Sequence, residues 1–131
     1  MAELFTEEWM QGFASHWNSE PELSDALAQI GFSSVIGYGF DGDENPLGVL
    51  SVENGKAVKA ESYNGQALNW DIRASKDQWN KWMAKPPGMM GLGMAFTSRK
   101  LKFVLGDYSS MIKDPRMAGP FIKSFVVMAR V

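Results

Sequence analysis

The spacing of apolar positions changes several times along this chain, and each change marks an element. Trp9, Phe13 and Trp17 recur every fourth residue, which puts them on one face of a helix. Thr6 precedes them as a cap, and Glu7 and Glu8 suit the positive end of the helix dipole. Leu23, Ala26, Leu27 and Ile30 predict a second helix from Pro21 to Ile30, stopped by Gly31. The period then falls to two. Ile36, Tyr38 and Phe40 alternate with Val35, Gly37 and Gly39, and a second strand, Leu47 to Val52, follows the polar turn Asp41 to Pro46. Asn54-Gly55 and Asn64-Gly65 both suit two-residue hairpin turns and bracket a third strand over 57–63. In the next segment Leu68, Trp70, Ile72 and Ala74 alternate with Asn69, Asp71, Arg73 and Ser75. Read together, these segments predict a four-stranded antiparallel meander.

Helical spacing then returns. Ser75 caps a helix carrying Trp79, Trp82 and Met83, which ends before Pro86-Pro87-Gly88. The stretch from Met89 to Phe96 is apolar and glycine-rich without a strict period, and reads equally as helix or loop. Leu101, Phe103 and Leu105 predict a fifth strand closed by Gly106, then a short helix from Asp107 to Lys113. A last helix, beginning near Pro120, aligns Phe121, Phe125 and Met128. With no internal repeat and no low-complexity linker, residues 1–131 are expected to form one domain.

Composition narrows the chemistry. The chain has 131 residues, 45% of them hydrophobic and 21% charged, enough for a packed core. It has no cysteine, which excludes disulfides, thiolate metal sites and cysteine nucleophiles. Its single histidine, His16, makes no multi-histidine metal site and has no evident partner as a general base. No metal or other cofactor is expected. A net charge of −2 argues against a nucleic-acid binder. The charge is unevenly spread, however. Residues 1–55 hold ten acids and no Lys or Arg, while the remainder holds thirteen basic residues against five acids, a net of +8. Either the two parts fold together and offset each other, or a basic face meets an anionic membrane or an acidic partner. No signal sequence, apolar membrane span or peroxisomal address is visible, so a cytoplasmic location is expected.

Three motif matches fail on context. Gly37-Tyr38-Gly39-Phe40-Asp41-Gly42 spells a dinucleotide fingerprint, but it lies in a strand and runs into an acidic turn instead of a helix N-terminus. Asp41, Asp43 and Asn45 imitate a calcium loop, yet Pro46 and Val52 occupy the positions that need glycine and glutamate. Ser110 and Lys113 fit S-x-x-K without either companion motif.

One compositional signal remains. Seven of nine methionines lie between Met83 and Met128, interleaved with Phe96, Phe103, Phe121 and Phe125. Methionine is flexible and polarizable, so it lines apolar surfaces that must fit more than one shape. This clustering reads either as a methionine-rich core or as the lining of an apolar cavity.

From Asn69 to Asp114 the chain resembles the sterol carrier protein type 2 family. The resemblance rests on Trp70-Asp71-Ile72-Arg73-Ala74-Ser75, on Trp79, on the Met/Gly/Pro linker over 86–95, on Lys100-Leu101-Lys102-Phe103-Val104-Leu105-Gly106-Asp107, and on the Met111 helix. The order of elements matches over nearly the whole length. Arg99 stands where the family usually has glycine before Lys-Leu-Lys, so the turn entering the last strand departs from the pattern. The resemblance implies an α+β fold: a five-stranded, mostly antiparallel sheet covered on one face by helices, with a hydrophobic tunnel between. It also implies non-catalytic binding or transfer of fatty acyl chains, fatty acyl-CoA, phospholipid or sterol. Met90, Met94, Phe96, Met111, Phe121, Phe125 and Met128 are the expected lining, with Trp82 and Met83 at the edge and the last helix as a lid. The alternatives are an enzyme on a hydrophobic substrate using Asp71 or Asp107, and an accessory module that presents lipid to a partner.

Overall fold

The structure, a computed structural model, describes residues 2–131. Helices α1 (Glu7–Asn18) and α2 (Ser24–Gln29) precede strands β1 (Ser34–Phe40), β2 (Gly48–Glu53), β3 (Lys56–Ser62) and β4 (Trp70–Ala74). Helices α3 (Lys76–Ala84) and α4 (Met89–Thr97), strand β5 (Lys102–Leu105), and helices α5 (Tyr108–Lys113) and α6 (Pro115–Met128) complete the chain. The expected caps form. Thr6 accepts from the Trp9 amide and Ser75 from the Gln78 amide, and Gly31, at φ +62°, follows the residue that ends α2. Helix α2 starts at Ser24, later than the Pro21 expected, because Glu20 to Leu23 form turns first.

The sheet order is β3-β2-β1-β4-β5, with β4 parallel to β1 and every other pair antiparallel. Asn54-Gly55 makes the expected β2–β3 hairpin, both residues at positive φ. A side chain at Gly55 would also collide with the backbone of Ser24 and Ala28, so helix α2 can seat against this turn only over glycine. The second Asn-Gly pair makes no hairpin, which corrects the predicted meander. Residues 63–69 instead carry the chain from the β3 edge to the far side of β1. Seven residues can extend roughly 23 Å, more than the ~14 Å of three strand spacings. Asn69 secures the landing: its amide donates to the Val35 carbonyl, and its Oδ1 accepts from the Val35 amide, each at 2.8 Å.

Helices α1, α2, α3 and α6 cover one sheet face. Trp9, Met10, Phe13 and Trp17 of α1 are buried with Ile36, Tyr38, Leu50, Val52 and Ile72 from the strands and Trp79, Phe125 and Met128 from the helices. The opposite face is also closed over its centre. Leu68 lies against Gly37, on the far side of the sheet from Trp70, because the strand begins only at Trp70 and not at Leu68. Asp71 and Arg73 share that outer face but are only 4% and 3% exposed. Arg73 grips Asp71 through Nε at 2.6 Å and a second nitrogen at 3.0 Å, then donates to the Asp43 carbonyl at 2.7 Å. A side chain at Gly39 would collide with the Pro46 backbone and crowd the guanidinium, and one at Gly37 would collide with Leu68, which is why β1 is glycine-rich. These glycines therefore serve packing and not phosphate binding.

Helix α6 begins at Pro115, earlier than the Pro120 expected. Asp114 caps it by accepting from the Arg116 amide, and Pro115 occupies the first turn. Pro120 consequently sits inside the helix, where it removes one backbone hydrogen bond. The ambiguous 89–96 stretch is helical, as α4. The acidic and basic parts of the chain join through Lys56–Asp25, Lys102–Asp41, Lys123–Glu22 and Arg130–Glu20, at 2.8–3.0 Å. Much of the charge asymmetry is thereby absorbed within the fold.

Candidate functional site

Helix α2 is short, ending at Gln29, and leaves a gap between itself and α6 over the sheet. An apolar cavity of about 40 Å³ occupies it. Its floor is Ile36 and Tyr38 of β1 with Trp70 and Ile72 of β4, the core-facing alternation of two neighbouring strands. Trp17, Leu23, Leu27 and Phe32 wall one side. Met111 of α5 and Met117, Pro120, Phe121 and Ser124 of α6 close the other. No charged residue is among them. The Ser124 hydroxyl donates to the Phe121 carbonyl, and burial pushes the Tyr38 phenol well above its ordinary pKa, so it stays neutral.

The cavity is small: about 40 Å³, room for roughly three waters at ~10–15 Å³ each. The expected tunnel is not shown: the space is partly open to solvent but, as it stands, too small for an acyl chain. Helix α6 contributes the most lining, and its backbone ladder is interrupted at Pro120, beside the cavity.

The predicted site residues separate into four groups. Met111 and Phe121 line the cavity. Phe96, Phe125 and Trp82 belong to an aromatic chain that runs through Phe121. Phe96 stacks on Tyr108 at 4.1 Å, Tyr108 meets Phe103 at 5.4 Å, and Phe103 meets Phe121 at 5.9 Å. Phe121 then meets Phe125 at 5.2 Å, and Phe125 meets Trp82 at 5.3 Å. Met83 and Met128 line a different space, an open groove of about 760 Å³ beside residues 2–6. Met90 and Met94 stand outside both, 78% and 67% exposed on α4.

Most of the lining was missed by reading methionine enrichment alone, because eight of its thirteen residues come from residues 17–72, ahead of the methionine-rich segment. The usable signal was the alternation of Ile36 and Tyr38 with glycine, and of Trp70 and Ile72 with Asp71 and Arg73. Neither candidate acid faces the cavity wall. Asp71 is consumed by Arg73 on the opposite sheet face. Asp107 caps α5, where the Ser110 hydroxyl and then the Ser110 amide hold its carboxyl below the usual range. His16 lies at the C-terminal end of α1. Among the described residues no three His, Asp or Glu side chains converge on a metal-sized space, and no helix is long and apolar enough to cross a membrane.

No family model matches the sequence, and no curated protein matches it significantly. Solved structures do match. Sterol carrier protein 2 superposes with a TM-score of 0.78 at 18% identity, covering 98% of this chain and 99% of that one. A conserved hypothetical protein from Thermus thermophilus, described as possibly a sterol carrier protein, gives 0.64 at 18% identity over 98% and 86%. The ubiquinone synthesis protein UbiJ-SCP2 gives 0.58 at 12% identity over 98% and 93%. These likenesses establish the sterol carrier protein 2 fold, as the resemblance in the sequence implied.

Proposed function

We propose that this protein, built on the sterol carrier protein 2 fold, binds and transfers lipid without altering it. The observation that carries the reading is the uncharged cavity between sheet and helices, walled by an α6 whose hydrogen-bond ladder breaks beside it. The ligand is a fatty acyl chain, fatty acyl-CoA, phospholipid or sterol. Entry requires α6 to swing away from α2 and widen the space around Phe121 and Met117, while Tyr38, Ile72 and Trp70 stay fixed in the sheet. The aromatic chain from Phe96 to Trp82 then repacks around the guest as a movable wall.

The driving force is burial of hydrocarbon, roughly 0.8 kcal/mol per methylene, so a ten-methylene stretch contributes about 8 kcal/mol. Opening α6 and ordering the chain oppose this gain. Because the attraction is non-directional and the lining carries no charge, affinity follows the length of apolar chain more than the headgroup. An accessory role is the second reading: the fold likeness to UbiJ-SCP2, a ubiquinone synthesis protein, suits a module that presents a hydrophobic molecule to an enzyme.

Native mass spectrometry of the purified protein, followed by solvent extraction, tests the carrier reading. A co-purifying acyl lipid or sterol near one-to-one, recovered chemically unchanged, is the expected result. A chain that arrives empty and refuses both added fatty acid and added sterol refutes it. Conversion of the ligand during incubation would replace it with an enzyme.

A further inference from the structure

We propose that α4 is a membrane-docking helix, which lays its methionine face into the surface of a bilayer containing anionic lipid. Met90 and Met94 are 78% and 67% exposed on the side of α4 away from buried Leu92 and Ala95, and Met89, at its start, is 51% exposed. Met90 and Met94 flank an open hollow with Gly93, Thr97 and Ser98. Three large apolar side chains on one nine-residue helix are an uncommon surface for a water-facing element.

Charge identifies the occupant. Lys85 is exposed just before α4, Lys81 is exposed in the last turn of α3, one helical turn after Asp77, and Arg99 and Lys100 are exposed just after α4. No Asp or Glu occurs from Gln78 to Gly106. The acids elsewhere that neutralise the basic half reach Lys56, Lys102, Lys123 and Arg130, and none of these four cations. An apolar centre with cations at both ends matches a surface where hydrocarbon lies beneath phosphate and carboxylate. A second copy of the chain fits less well, because a two-fold contact through α4 would gather the same cations from both partners around one patch.

The helix is also built for a soft surface. At nine residues it spans roughly 13 Å, too short to cross a bilayer and suited to lying in its plane. Methionine adapts to disordered acyl chains better than branched residues do. The position suits cargo exchange, since Phe96 of α4 reaches the cavity wall at Phe121 through Tyr108 and Phe103. Only this last link rests on the carrier reading; docking itself does not.

Flotation with vesicles of phosphatidylcholine alone, and with phosphatidylserine added, tests the inference at about 0.1 M salt. The protein is expected to float with the phosphatidylserine vesicles only, and to leave them as salt rises. Each of Lys81→Gln, Lys85→Gln, Arg99→Gln and Lys100→Gln should weaken partitioning about five-fold. The double variant Met90→Ser/Met94→Ser should weaken it at least about ten-fold. Both methionines are exposed, so circular dichroism should confirm an intact fold. Equal flotation on both vesicle types, no flotation, or a methionine variant that floats like the parent overturns the inference. So does a parent dimer that dissociates in the methionine variant without vesicle binding, which would make α4 a contact between copies. Lipid loading from ethanol solution, read by native mass spectrometry on the same variant, separates the two readings. A variant that loads but does not dock leaves the carrier reading standing.

Discussion

Helix α4 contains two glycines that its structure does not need, and replacing them is the most direct test of why they are there. Neither Gly91 nor Gly93 has positive φ. A Cβ at Gly93 would meet nothing within 4 Å, and one at Gly91 would make only an ordinary 3.5 Å contact with Pro87. No steric cost therefore offsets the propensity gain of alanine, about 0.8–1 kcal/mol at an interior helix position. Gly91 lies in the first turn and contributes less, so the double variant Gly91→Ala/Gly93→Ala should gain about 1–1.5 kcal/mol. For a domain of this size that corresponds to roughly 3–5 °C in Tm. Calorimetry reads the global gain. Hydrogen exchange reads the local one, and α4 amides that exchange by unwinding of this helix should slow about ten-fold. Should Tm fall, or the α4 amides exchange unchanged, the glycines are there for a contact or motion that the folded geometry does not reveal, and the argument from propensity fails.

Other perturbations separate the remaining claims. Phe121→Asp places a carboxylate in the uncharged cavity and should abolish uptake of added fatty acid in native mass spectrometry; unaltered uptake by a folded variant would remove α6 from the site. Gly55→Ala combines a positive-φ position with collision against the α2 backbone, so chemical denaturation should show a loss of at least about 2 kcal/mol. Arg73→Met leaves Asp71 buried without its cation and should cost about 3–5 kcal/mol, whereas Asp71→Leu/Arg73→Met together should recover part of that loss. Glu20, Asp107 and Asp114 are all held below their ordinary pKa, Glu20 and Asp114 first by arginine hydrogen bonds and Asp107 by Ser110. A depressed folded-state pKa means fewer bound protons when folded, so their contribution is complete above about pH 4.5 and fades as pH falls through the folded values. Asp114→Asn should therefore lose less stability than the parent between about pH 6 and pH 3, read from denaturant midpoints.

The sequence reading succeeded where one short-range rule determines the outcome. Thr6 and Ser75 cap the helices they precede, and Asn54-Gly55 turns the hairpin, because each acts within four residues. It failed where a long-range contact decides. Asn64-Gly65 is locally as good a hairpin as its twin, but β3 already has β2 along one edge, and β1 still had an unpaired edge for Trp70–Ala74 to take. Nothing within Asn64-Gly65 reveals that vacancy. Likewise Pro120 resembles a helix start until Asp114 and Pro115 are seen to supply a better one.

The candidate site was half legible for a different reason. Methionine enrichment reports apolar surface that must adapt, but it does not say which side of the helices that surface lies on. In this fold the signal divides. Met111 and Met117 face inward to the cavity, Met83 and Met128 face the N-terminal groove, and Met89, Met90 and Met94 face out. For α4 the sequence had already lost the clue that assigns a face, since two glycines and six apolar residues in nine leave no polar side for a periodic pattern to reveal. Burial decided it: Leu92 and Ala95 take the inner positions, and the methionines are left outside between two pairs of cations. Under the proposed carrier and docking roles, the two kinds of methionine have complementary uses. Those inside can yield to a lipid already taken up, and those outside can meet the bilayer from which it comes.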